Sequence, residues 1–260
     1  MQGEYMESEK ISEELNRAKN QFSEIVQLHI AARRSIILAA TIPDADALLQ
    51  GQIKINEGLK RGVGIDAIDG AEDVLATARR EFADDFARLR RATLVSMCSA
   101  FEYLVKSAYV DQASSDPIEA GRRLDGVNVR LRASEVIGLD STERWYLVAD
   151  RLLESLADQS TSKTRGFGDR ARRLLIDFVP SDDARAKGIG DAFSGDRLHK
   201  LNEAFLVRNC LVHNGERVNA ALARASGKVR GVELVLDRTY GPTLMKAMIE
   251  TQQLLEALRL

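Results

Sequence analysis

YMESEKISEELNRAKNQFSEIVQLHIAARRSIILAA, residues 5–40, is the stretch that decides the fold. Ile11, Leu15, Ala18, Phe22 and Ile25, then His29, Ala32, Ile36 and Ala39, recur at alternating steps of four and three. That spacing places them on one seam of a single long helix that packs lengthwise on a partner. The partner is either the body of this chain or a second copy of it. His29 on the seam reads as a packed residue rather than a ligand or base.

The rest of the chain continues the helical pattern. Four prolines in 260 residues (Pro43, Pro117, Pro180, Pro242) leave long stretches free to be helical. Aromatic residues are 5%, too few for a barrel or sandwich built on Tyr and Trp. Pro43-Asp44 and Lys60-Arg61-Gly62-Val63-Gly64 break the pattern and divide a helical extension, residues 1–64, from a main domain, residues 65–260. A second long helix is expected from Ala71 to Val110. Ile118–Ile137, Thr142–Gln159, Asp169–Phe178, Asp196–His213 and Thr243–Leu258 are expected as further helices, and Ser181–Gly190 as a surface loop. Gly231–Leu236 is the one strand-like run, too short for a sheet. The fold class is therefore all-α.

Composition limits the function classes. Apolar residues are 45% and charged residues 29%, a globular balance. Lys+Arg is 37 and Asp+Glu 39, a net charge of -2, so bulk positive charge does not hold this chain to nucleic acid or membrane. The longest apolar run, Ser35–Ile42, is far shorter than the ~20 residues of a membrane span. Met1–Lys10 is polar and acidic and does not read as a signal peptide. A cytoplasmic protein is expected. Cys98 and Cys210 lie in apolar segments and read as buried reduced thiols. With His29, His199 and His213 they form neither CxxC nor HxxxH, so no metal and no cofactor is expected.

The chemistry concentrates on Asp196–His213. Leu198, Leu201, Phe205, Arg208 and Val212 step by three and four, which puts Arg208 on an apolar stripe. An arginine there keeps its charge and must find carboxylate, phosphate or backbone oxygen. Beside it run Asn202, Leu206, Asn209 and His213, with Asn209 and His213 one turn apart. A permanent cation, an amide and an imidazole converge at one helix end, a set suited to phosphate chemistry. Glu102 is the one carboxylate between Ala92 and Val105. It faces solvent or needs a cationic partner. A structural Arg208–Glu102 ion pair, with His213 stabilised by the helix dipole, explains the same residues without function.

Arg208-Asn209-Cys210-Leu211-Val212-His213 resembles the R-x4-6-H signature of the HEPN superfamily, with a polar residue after the Arg. Asn214–Asn219 resembles the stretch that follows it in bacterial members of the RiboL-PSP-HEPN type. Leu94–Leu104, with Ser99 and Glu102, resembles their first helix. The likeness runs from about Ala71 to the C-terminus and is specific at these places. It implies a helical bundle that pairs as a homodimer, with two R-x4-6-H motifs forming one composite site. It also implies a metal-independent endoribonuclease of a toxin–antitoxin or antiviral defence system, with RNA as substrate and an antitoxin or defence-system protein as partner. On that likeness Arg208, Asn209 and His213 are the catalytic set and Glu102 supports Arg208. Gly215 stands where toxins neutralised by a nucleotidyltransferase carry a tyrosine, so the likeness does not extend to that partnership. Two other readings stay open: a HEPN-like module that binds RNA or nucleotide without cutting, and a helical scaffold. Clustered arginines (Arg79-Arg80, Arg88 with Arg90-Arg91, Arg122-Arg123, Arg130 with Arg132, Arg170 with Arg172-Arg173) are expected as solvated faces or phosphate contacts.

Overall fold

The computed structural model describes residues 2–41, 71–125, 127, 131–158, 166–178 and 182–258. Among them the chain forms helices α1 (Gln2–Thr41), α2 (Ala71–Ala83), α3 (Ala87–Ser115), α4 (Pro117–Arg123), α5 (Ala133–Val136), α6 (Ser141–Asp158), α7 (Phe167–Asp177), α8 (Asp183–Ala192), α9 (Gly195–His213), α10 (Ala220–Ser226) and α11 (Tyr240–Ala257). The architecture is all-α, and the described residues hold only an isolated bridge, Arg217 to Glu233, in place of a sheet. No helix among them is long and apolar enough to cross a membrane. The proposed boundary at Pro43 and Lys60–Gly64 lies outside the described residues.

α3 is the axis. At 29 residues it is about 44 Å long, and α1, α6, α9 and α11 all pack against it. The seam of α1 is the reason α1 lies there: Leu15, Ala18 and Phe22 are buried in the common core, and Ile25 packs on its edge. Phe22 meets Phe101 edge to face at 6.2 Å, and His29 Nδ1 meets Thr93 Oγ1 at 2.8 Å. The register runs backwards along α3, so the two helices are antiparallel. The body of the same chain covers this seam.

Phe101 is the hub of the core. It makes edge contacts with Phe22, Phe167 and Phe193, and Phe167 in turn stacks on Phe205 at 3.8 Å. Each such pair adds about 0.5–1.5 kcal/mol beyond the area it buries. These contacts tie α1, α7, α9 and the end of α8 to α3.

The structure corrects three expectations. The helix expected over Ala71–Val110 is two helices, broken at Asp84–Phe86. Phe86 N–H donates to Glu81 O at 2.7 Å and Asp85 N–H to Phe82 O at 3.2 Å, the paired bonds of a Schellman stop. Asp85 (φ 53°) takes the left-handed position that glycine more often fills. The buried Phe86 ring meets Phe82 at 6.1 Å and lies under the Arg33 guanidinium at 5.2 Å. Packing of Phe86 therefore stops the helix where its periodicity does not. Of the helix expected over Ile118–Ile137, the described residues form α4 and α5, and Leu124, Asp125, Val127, Leu131 and Arg132 between them are not helical. Finally, the loop expected over Ser181–Gly190 is largely helix α8, because Asp182 Oδ1 caps it at Arg185 N–H (2.7 Å) and Ile189 and Ala192 are buried.

Candidate functional site

α9 carries the site. Leu201, Ala204, Phe205, Val207 and Cys210 are buried on its inner face. The helix stops at Asn214, with Gly215 (φ 55°) and Glu216 (φ 62°) turning the chain back. Asn214 N–H and Glu216 N–H both donate to Cys210 O at 3.2 Å. The expected end of this helix at Asn214-Gly215 is the observed one.

Arg208 and Asn209 are half-buried, and His213 is exposed at the last turn. Arg208 Nη1 donates to Asn209 Oδ1 at 3.2 Å, while its Nε is buried without a hydrogen-bond partner. Asn202, on the stripe of Asn209 and His213, has another task. Its Oδ1 accepts Gly168 N–H at 2.7 Å and its Nδ2 donates to Asp169 at 2.7 Å, so it holds the start of α7.

Glu102 does not anchor Arg208. It pairs with Lys106 at 2.9 Å, one turn along α3, and Lys106 also pairs with Asp150 of α6. Burial opposes the charge of Lys106, but hydrogen bonds and attraction from Asp150 and Glu102 outweigh it and raise the ammonium above its ordinary value. The Glu102–Lys106 spacing of four was readable in the sequence, and of the two alternatives for Glu102, solvent or a cation, the structure shows a cation. Cys98 lies within the electrostatic reach of both Arg208 and Glu102. Burial pushes its thiol well up, Arg208 pulls it down and Glu102 pushes it up. Its Sγ sits 3.8 Å from Ala204 O and 3.9 Å from Met248 Sδ. Cys98 and Cys210 are both free and buried, inert thiols as expected.

The segment after α9 doubles back. Val218 N–H donates to Val232 O at 2.9 Å, Gly231 N–H to Val218 O at 2.8 Å and Leu234 N–H to Glu216 O at 2.7 Å. Arg91 of α3 pairs with Glu216 and, at 3.4 Å, with Glu233. Val212, Val232 and Val235 are exposed along this end of the molecule.

Several of the arginine clusters are engaged internally. Arg122 and Arg123 share Glu119, Arg173 pairs with Asp177, and Arg170 Nη1 donates to Leu153 O at 3.1 Å. Arg90 is buried, donating from Nε to Leu236 O at 2.6 Å and pairing with Asp85 at 3.2 Å. Arg130 lies outside the described residues. Among the described residues no group of three or more His, Cys, Asp or Glu is placed to hold a metal ion. Comparison of the chain with protein-family models, with curated proteins and with solved structures returns no match.

Proposed function

We propose that the chain is a metal-independent endoribonuclease whose site is built from Arg208, Asn209 and His213 of two copies. The observation that carries this reading is the state of Arg208. Its guanidinium meets an amide and no carboxylate among the described residues, and Glu102 is occupied by Lys106. An arginine on an apolar stripe needs carboxylate, phosphate or backbone oxygen, and Arg208 has neither a carboxylate nor a backbone oxygen among the described residues. Arg208 instead keeps its charge for an external anion, five residues before an exposed imidazole.

On this reading a ribose 2′-oxygen attacks the neighbouring phosphorus. The new P–O bond forms as the bond to the 5′-oxygen breaks. His213 of one copy accepts the 2′-hydroxyl proton, and His213 of a second copy gives a proton to the leaving 5′-oxygen. Arg208 stabilises the charge that grows on the phosphoryl oxygens, and Asn209 orients the guanidinium. The products are a 2′,3′-cyclic phosphate and a 5′-hydroxyl. One copy supplies one imidazole, and the exposed Val212, Val232 and Val235 offer apolar surface for a second copy beside it. The likeness of the Arg208–His213 motif to HEPN nucleases supports the same chemistry and a place in a toxin–antitoxin or antiviral defence system, in the cytoplasm.

The test is the chemistry of the cut. An RNA that the protein cleaves is resynthesised with a 2′-deoxy nucleotide 5′ to the scissile phosphate. Loss of cutting at that position, with cyclic phosphate ends on the unmodified RNA, is the expected result. Continued cutting of the deoxy substrate overturns the mechanism.

A further inference from the structure

We propose that Arg91 is a positioning residue for His213 and acts through Glu216; its catalytic consequence rests on the nuclease reading above. His213 is the last residue of α9, and no hydrogen bond fixes its side chain among the described residues. Its place is set by the backbone that follows. That backbone is unusual. Gly215 and Glu216 are both left-handed, a conformation free to glycine and disfavoured for glutamate. A residue held this way persists only where its surroundings over-determine it.

Two contacts do so at Glu216. Its carbonyl accepts Leu234 N–H at 2.7 Å, and its carboxylate is taken by Arg91. Arg91 stands on α3, the axis of the bundle, 125 residues away in sequence. Its two η nitrogens go to Glu216 and Glu233, while its Nε is buried without a partner. One guanidinium therefore clamps both arms of the returning segment. With Glu216 fixed, its N–H reaches back to Cys210 O and closes the last turn of α9. Arg208 lies more than a turn earlier, on the packed part of the helix. Loss of the clamp frees His213 and leaves Arg208 in place.

The test uses full-length Arg91→Ala, Glu216→Gln and the charge exchange Arg91→Glu with Glu216→Arg. Arg88→Ala removes a neighbouring exposed cation as the control. Amide exchange is read at Glu216 and Leu234, the ring resonances of His213 by NMR, and kcat and KM on RNA. In Arg91→Ala, exchange at both amides accelerates at least about tenfold and the His213 lines broaden or shift. Misplacement of a reacting group costs up to about 100-fold, so kcat falls by about 10- to 100-fold while KM stays within about twofold. Glu216→Gln gives a smaller effect of the same kind, which keeps the test valid if Arg91→Ala folds poorly. The charge exchange restores the part of each loss that comes from Glu216, the contact to Glu233 staying lost, and Arg88→Ala changes none of them. Unchanged exchange and unchanged His213 lines overturn the proposal, as does a raised KM that the charge exchange does not rescue. If the wild-type protein cuts no RNA, the nuclease reading fails, and the exchange and ring resonances still decide the role of Arg91.

Discussion

Arg208 donates to Asn209 Oδ1 at 3.2 Å, its neighbour on the helix, and to no acid among the described residues. The pair leaves a charged guanidinium at the boundary of the core, held by an amide that cannot neutralise it. This has an energetic signature that a structural ion pair does not share.

Replacing Arg208 by methionine keeps the packed stem and removes the charge without orphaning a carboxylate. The change in unfolding free energy is expected within about 1 kcal/mol of zero. A buried ion pair broken at one partner costs about 3–5 kcal/mol. Urea unfolding of Arg208→Met distinguishes the two, and a loss in the larger range shows that Arg208 serves the fold.

Asn202 and Gly166 depend on each other. A Cβ at Gly166 falls 2.0 Å from Asn202 Oδ1, the atom that accepts Gly168 N–H. Gly166→Ala is expected to displace the amide and cost about 1–2 kcal/mol, the worth of an N-terminal cap. In the Asn202→Ala background the added methyl has no amide to meet. The double variant is therefore less destabilised than the sum of the singles, and simple additivity in a double-mutant cycle contradicts the contact.

Arg90 joins α3 to the segment before α11. Arg90→Ala leaves the carbonyl of buried Leu236 without its donor and removes one of the two cations on Asp85, which keeps Arg238 at 2.8 Å and sits in a left-handed conformation at the α2–α3 break. A loss of about 1–3 kcal/mol follows from the unsatisfied carbonyl. Thermal unfolding checks it. Arg88→Ala, a few residues away and exposed, is expected to change stability by less than about 0.5 kcal/mol.

Acid is expected to loosen α1. Thr93 Oγ1 donates to Leu89 O at 2.8 Å, so it accepts the His29 Nδ1–H, and His29 sits in the α1–α3 seam as a neutral ring. Burial, then Arg33 and Arg90, lower its pKa below the ordinary value. The folded state thus binds fewer protons than the unfolded state. The stability that neutral His29 contributes is complete above the unfolded value of about 6.5 and is lost as pH falls from there through the folded value. His29→Asn keeps a donor to Thr93 and removes the titration. Its stability should lose this part of the pH dependence between pH 7 and 5, and a profile identical to wild type contradicts the assignment.

The sequence made some of this legible and hid the rest for physical reasons. The α1 seam and the stop of α9 were readable because each is local: a period of residues, and an Asn-Gly at a helix end. The partner of α1 was not readable, since a heptad seam fits its own body and a second copy equally well. The α2–α3 break escaped because Phe86 is held by a contact from distant Arg33 of α1, and helix α8 because its capping residue Asp182 lies in a polar run that reads as a loop. Arg208, Asn209 and His213 lie on one helix, as their spacing predicts, while their grouping as a site rests on the HEPN likeness. For Glu102 the sequence left solvent and a cationic partner both open, and Lys106, one turn along α3, lay nearer than Arg208. Arg91 could not be linked to Glu216, because nothing local joins residues 125 apart.

On the proposed mechanism Arg208 and His213 cut RNA without a metal. The direct measurement incubates purified wild-type, Arg208→Ala and His213→Ala proteins with total RNA and tRNA in EDTA. Cleavage by the wild type with 2′,3′-cyclic phosphate ends, and its loss in both folded variants, is the predicted result. Equal cleavage by either variant, or none by a folded and dimeric wild type, contradicts it.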